Sequence, residues 1–259
     1  MTGEQWRIGD ITVTRVVEIE MAGGLSRFLP DATRERIREI GWLRPHFADA
    51  DGRMIASIHA LIVDTGDARI VVDTCVGNDK VRHVPAWDRM QTGFLDDMAA
   101  AGYPVDAVDA VLCTHLHVDH VGWNTRWVDG RWVPTFPGAR YLMGRTEFGF
   151  WEARGEDAHF GPVFDDSVKP VFDAGLVDLV ETDHRVAPGV RLIPTPGHTP
   201  GHVSVLIESR GETALITGDF LHHPCQMAHP EWGAVVDEDA AGAERTRRVN
   251  ALLGESLGK

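Results

Sequence analysis

The chain has 259 residues, and 25 Lys+Arg against 39 Asp+Glu leave a formal net charge of -14. So acidic a protein repels phosphate backbones, which argues against nucleic acid as a partner, and 43% hydrophobic residues exclude wholesale disorder. No segment reaches the ~20 apolar residues that a membrane helix needs. Met1 to Arg7 show neither the basic nor the apolar region of a signal peptide, so the expected location is cytoplasmic, with no membrane partner. Cys75, Cys113 and Cys225 are odd in number and widely spaced, and read as buried thiols rather than disulfides or a CxxC metal clip.

In chain order, Ile11 to Val17 alternates like a strand and is rich in β-branched residues. Asp31 to Ile40 reads as a short helix with Asp31 as N-cap and Gly41 as its stop. Ile58 to Val63 and Ala68 to Asp73 flank Asp64-Thr65-Gly66-Asp67, a hairpin signal. Phe94 to Ala101 is helical up to Gly102, and Ala107 to Cys113 suits a buried strand. Residues 123–183 read as an irregular, aromatic-rich insert, serving as substrate wall or core. Strands resume at Arg191 to Pro194, Val203 to Glu208 and Thr213 to Thr217, and a helix with Asp239 as N-cap runs to Leu253. The expectation is a single mixed α/β layered domain over 1–259, in two comparable halves.

Chemistry concentrates at three strand ends. Thr114-His115-Leu116-His117-Val118-Asp119-His120 follows an apolar strand and packs four donors into six residues. Imidazole and carboxylate together suit Zn²⁺, and this many donors can serve two ions. Pro194-Thr195-Pro196-Gly197-His198-Thr199-Pro200-Gly201-His202 presents His198 on a stiff turn, which limits the chain entropy lost on binding. Thr217-Gly218-Asp219 places a carboxylate after a third strand.

His-x-His-x-Asp-His, Thr-Pro-Gly-His-Thr-Pro-Gly-His and Thr-Gly-Asp, in that order, resemble the metallo-β-lactamase superfamily over about residues 11–225. The resemblance implies an αβ/βα four-layer sandwich with a dinuclear site at one edge of its paired sheets. It implies that His115, His117 and His198 hold metal 1, that Asp119 and His120 belong to metal 2, and that Asp219 bridges them. His117 stands where the diiron flavoprotein branch carries Glu, which favours the zinc hydrolases; two Zn²⁺ per chain are expected, with Fe or Mn as alternatives. Asp73 to Lys80 and His222-His223-Pro224 look like the lactonase and organophosphate-hydrolase-like members.

The implied activity is hydrolysis by a metal-bridging hydroxide oriented by Asp119, on a lactone or other uncharged ester. Rival readings are a phosphotriester or thioester hydrolase, a mononuclear iron persulfide dioxygenase and a degenerate binding module. Related lactonases use a Tyr near the position of His222 to assist the substrate carbonyl, which makes His222 a candidate to line the site and act in catalysis. His202 reads as turn-stabilising, and Asp73 as a hydrogen-bond partner of a ligand histidine or loop amide. His223 and His229 are weaker candidates, while His46, His59, His83, His159 and His184 read as packing or surface residues. The expected partners are a small-molecule substrate and, at most, a second copy of the chain in a homodimer. Metal 2 in this superfamily takes one more histidine from a strand near the C-terminus. Only His222, His223 and His229 follow Asp219, all before helix 239–253. The reading therefore expects the given chain to lack that strand, by truncation or with metal 2 completed by water, a nearby His or a neighbouring chain.

Overall fold

The computed structural model describes residues 4–154 and 161–257. His159 and Phe160 lie outside the described residues, as do residues 1–3, 258 and 259. Strands β1 (Gln5–Ile8), β2 (Ile11–Ala22), β3 (Ile55–Asp64), β4 (Arg69–Val72) and β5 (Ala110–Cys113) build most of one sheet. A separate hairpin, β6 (Thr125–Val128) and β7 (Arg131–Pro134), precedes β8 (Arg140–Gly144) and β9 (Val177–Val180). The large sheet has seven strands in the order β1-β2-β3-β4-β5-β8-β9, antiparallel as far as β4 and parallel from β4 onward. Strands β10 (Arg185–Ala187), β11 (Val190–Pro194), β12 (Val203–Ser209) and β13 (Glu212–Ile216) form an antiparallel second sheet.

Period-two alternation assigns the two faces of the large sheet to two cores. Val13, Val63, Ile70, Val72, Leu112 and Leu142 point at Leu192, Val205 and Ile207 of the small sheet. Their neighbours Val16, Ala60, Ile62, Val71, Val111 and Tyr141 point the other way. They meet Phe94 and Met98 of α2 (Phe94–Ala100), Phe148 and Trp151 of α3 (Arg145–Glu152), and Val171. Each such aliphatic or aromatic side chain contributes about 1.5–3 kcal/mol by leaving water. The motif after β5 therefore leaves a strand held from both sides, and those after β11 and β13 leave strands packed on the large sheet.

Several local expectations shift. The first helix, α1 (Arg34–Glu39), starts at Thr33, whose hydroxyl accepts from Arg36 N; Asp31 instead accepts from the Arg36 guanidinium. Residues 123–183 are more regular than their Pro and Gly content indicates. They supply β8 and β9 of the large sheet and α3, then α4 (Gly161–Val163), a π-helical turn Phe164–Val168 and α5 (Lys169–Asp173). Helix α6 (Cys225–Ala228) precedes α7 (Ala240–Leu257), where Asp239 Oδ1 accepts from Gly242 N at 2.9 Å as the N-cap. None of the described helices is long and apolar enough to cross a membrane.

Candidate metal centre

Three strand ends converge. The chain leaves β5 at Cys113 into His115 and His117, leaves β11 at Pro194 into His198, and leaves β13 at Ile216 into Asp219. His115 Nε2 lies 3.0 Å from His117 Nδ1, which lies 2.8 Å from His198 Nε2. Around them, Asp219 Oδ2 is 4.0 Å from His115 Nε2, 3.7 Å from His198 Nε2 and 3.3 Å from His120 Nε2. Donor atoms each about 2.0–2.1 Å from one tetrahedral Zn²⁺ stand roughly 3.3–3.4 Å apart. The spacing therefore fits a shared cation. His115, His117 and His198 make one three-donor group, and His115, His120 and Asp219 make a second that shares His115. Asp119 lies on the cavity wall with Oδ1 3.8 Å from His120 Nε2, and belongs to neither group.

The donors are locked by carboxylates behind them. Asp73, following β4, accepts from Thr114 N at 2.8 Å and Thr114 Oγ1 at 2.7 Å, and its Oδ2 is 2.9 Å from His120 Nδ1. Asp237 Oδ1 is 2.9 Å from His198 Nδ1. A carboxylate accepts only, so in both histidines Nδ1 carries the proton and Nε2 keeps its lone pair for the centre. His202 sits one residue before β12. Its Nε2 accepts from Asp219 N at 2.9 Å and its Nδ1 is 2.8 Å from Thr195 Oγ1, so it fixes the carboxylate from behind. Gly218 beside it has φ 55, and a Cβ there would come within 2.7 Å of His202 Nε2. Glu147 ties the two histidine loops together: its carboxylate accepts from Leu116 N at 3.1 Å, Gly201 N at 3.0 Å and Trp151 Nε1 at 2.6 Å. Glu18, at the bulge in β2 between Val17 and Ile19, accepts from Val76 N at 2.8 Å and Trp123 Nε1 at 2.6 Å.

Burial shapes the electrostatics. It pushes His115 and His117 well below the usual histidine range, and neighbouring imidazoles add to the effect. Burial and then His198 lower His202 to about 3, and burial lowers His222 to about 4. At His120 burial acts downward too, but Asp219, Asp73 and Asp119 together outweigh it and raise the pKa. Burial raises Asp119; at Asp219 the same burial is overcome by His120 and His222, and the carboxyl stays well below its ordinary value. Neutral His115 and His117 beside an ionised Asp219 are in the protonation states that bind a divalent cation, whereas His120, held as imidazolium by the three carboxylates, must release a proton to join them.

His222 packs at this centre. Its ring lies edge-on to His198 and to Phe28 with centroids 4.7 and 4.9 Å away, and neither ring nitrogen has a hydrogen-bond partner. Leaving a buried polar group unpaired costs about 1–3 kcal/mol. Donor set, spacing and these orphaned nitrogens all fit bound metal. His223 does not join the site; its Nε2 is 2.8 Å from Phe47 O, while His229 stacks on Trp232. His46 is exposed.

The centre opens into a cavity of about 1570 Å³. Its walls are largely apolar, with Trp6, Met21, Phe28, Trp87 and Ile216 among them, and Asp119, His120, Asp219 and His222 at the metal end. No described residue of 123–183 lines it; Phe136, Phe148 and Trp151 are buried in the core instead. His59 and His83, read from sequence as packing or surface residues, belong to the cavity lining. Sequence reasoning also missed Glu147, Asp237 and Glu18, whose partners are distant in the chain.

A family profile described as the metallo-beta-lactamase superfamily matches residues 56–251. N-acyl homoserine lactonase AiiA of Bacillus thuringiensis subsp. kurstaki is 32% identical over 119 residues, a match spanning 46% of this chain and only 40% of that one. Among solved structures, AidC, a dizinc quorum-quenching lactonase, superposes with TM-score 0.76 at 20% identity over 96% of this chain and 85% of its own. The hydrolase AbOPH of the beta lactamase superfamily superposes with TM-score 0.75 at 26% identity, over 95% and 84% respectively.

Proposed function

The chain belongs to the metallo-β-lactamase superfamily and has its fold, and from that premise we propose that it is a zinc-dependent hydrolase opening a lactone or another uncharged ester. The observation that supports this most is the pairing of a His/Asp donor cluster with one large, largely apolar cavity. His115, His117 and His198 would hold one ion and Asp119 and His120 the other, with Asp219 shared between the two. When bound, such a pair lowers the pKa of water towards ~7 and polarises a carbonyl or phosphoryl oxygen.

The chain's own residues prepare the rest. Asp73 and Asp237 hold His120 and His198 in the tautomer that leaves Nε2 free. Asp119 stands on the cavity wall at the metal end, where its carboxylate can accept a hydrogen bond from a reacting group. Phe28, Met21 and Trp87 give an acyl chain an apolar surface in exchange for water. An acidic protein with such walls suits an uncharged ester better than an anionic thioester. N-acyl homoserine lactones, named for the AiiA relatives, meet both requirements.

The test is a panel of N-acyl homoserine lactones, aryl esters, thioesters and phosphotriesters on protein of measured metal content. Lactone or ester turnover that disappears with a chelator and returns with Zn²⁺ is expected. Iron as the bound metal, with oxygen uptake on a persulfide, would replace this reading, and metal-loaded protein inert towards the whole panel would reduce it to a binding module.

A further inference from the structure

We propose that His222 is itself a metal ligand, its Nε2 forming a third donor corner with His198 Nε2 and Asp219 Oδ2. This rests on the metal-centred reading above and adds a ligand to it. His222 Nε2 stands 3.4 Å from Asp219 Oδ2. That matches the roughly 3.3–3.4 Å between two donors sharing one tetrahedral Zn²⁺. His198, Asp219 and His222 form a three-donor group of their own, beside the two that contain His115.

The surroundings favour coordination over the other roles open to an imidazole here. A structural histidine has its nitrogens satisfied by the protein, as His202 does through Thr195 and the Asp219 amide. Both nitrogens of His222 are buried and lack a hydrogen-bond partner. A histidine that steadies a substrate carbonyl must show a nitrogen to the cavity. His222 contributes to the cavity wall, yet each ring nitrogen has under 1 Å² of accessible surface. An ion cradled between three side chains reaches such a nitrogen where an ester does not.

The ring is also held in place. His222 N donates to Gln226 Oε1 at 2.7 Å, and Gln226 Nε2 donates to Trp232 O at 2.7 Å, which fastens the backbone. Phe28 and His198 bracket the ring edge-on, so it cannot swing away from Asp219 without losing both contacts. Fixing a donor before the ion arrives reduces the ordering entropy that binding must overcome. A position three residues after the bridging carboxylate, filled by imidazole, thus extends the donor set on the His198 side.

The direct test uses wild-type protein with ¹⁵N-labelled histidine, loaded with ¹¹³Cd²⁺. A ¹¹³Cd–¹⁵N scalar coupling at His222 Nε2, alongside couplings at His115, His117 and His198, is the expected result. Couplings at those three without one at His222 would overturn the proposal and leave the functional reading intact. Protein that takes up no metal would overturn both. In parallel, His222→Phe keeps the ring packing and removes both donors. Chelator competition should show one equivalent of metal bound on the order of tenfold more weakly or worse, with an altered visible spectrum of the Co²⁺ form. Unchanged affinity and an unchanged Co²⁺ spectrum, even with reduced turnover, would assign His222 to substrate and overturn its role as ligand.

Discussion

Replacing Glu147 with alanine removes the acceptor that joins the two histidine loops. Three buried donors lose their partner: Leu116 N, Gly201 N and Trp151 Nε1. At about 1–3 kcal/mol per orphaned donor, offset partly by no longer burying a carboxylate, the net cost is roughly 3–5 kcal/mol. Glu147→Gln keeps one accepting oxygen and turns an amide towards the remaining N–H, so it should cost less, roughly 1–3 kcal/mol. Urea unfolding of chelator-treated wild type and both variants measures the difference through the midpoint at constant slope. The pH dependence adds a check. Burial raises the Glu147 pKa above its unfolded value, so the folded state holds that proton more tightly. Ionisation of Glu147 therefore subtracts stability as pH rises from the unfolded pKa through the folded one, and Glu147→Gln should flatten that part of the profile. An alanine variant within about 1 kcal/mol of wild type would refute the reasoning, as would a glutamine variant equally damaged.

Further outcomes follow from the same contacts. Asp73→Asn and Asp237→Asn, which disturb the histidine tautomers without removing a ligand, should each weaken metal binding roughly 10–100-fold, read by chelator competition. Asp119→Asn should remove most turnover at full metal occupancy with an unchanged circular dichroism spectrum; near wild-type rates would contradict its role. Asp166 accepts from both Lys80 and Arg82 inside the protein, so Asp166→Ala should destabilise by about 3–5 kcal/mol in chemical denaturation. Burial lowers His59 to about 4, so its neutral form contributes stability that is lost as pH falls from about 6.5 through that value. His59→Asn should shrink the drop in apo-protein melting temperature over that interval.

The candidate donor cluster could be read from sequence where its residues are contiguous. His115, His117, Asp119 and His120 fall within one loop after one apolar strand, and His198 and Asp219 each follow another. What holds those donors was not legible. Glu147 meets Leu116 and Gly201 across separations of 31 and 54 residues, and Asp237 meets His198 across 39. No local spacing encodes such pairings, since only the packing of α3 and of the loop before α7 creates them. Two other differences have the same origin. The aromatic residues of 123–183 announced hydrophobicity without saying which side of the sheet they would cover; Phe136, Tyr141, Phe148 and Trp151 filled the core, while Trp127 and Phe172 stayed exposed. The cavity wall came instead from the N-terminal strands and the loop around Trp87, whose patterns are those of ordinary surface segments.

The central claim is that the His/Asp centre carries a metal that hydrolyses an ester-type substrate in the adjoining apolar cavity. It is tested most directly by following hydrolysis of N-hexanoyl homoserine lactone, as proton release, while Zn²⁺ is added stepwise to metal-free protein. Turnover that is absent without metal and rises to a plateau by about two equivalents is the expected result, in line with a two-metal site. Full uptake of the ion with no release of protons from the lactone, nor from any other ester offered in its place, would contradict it.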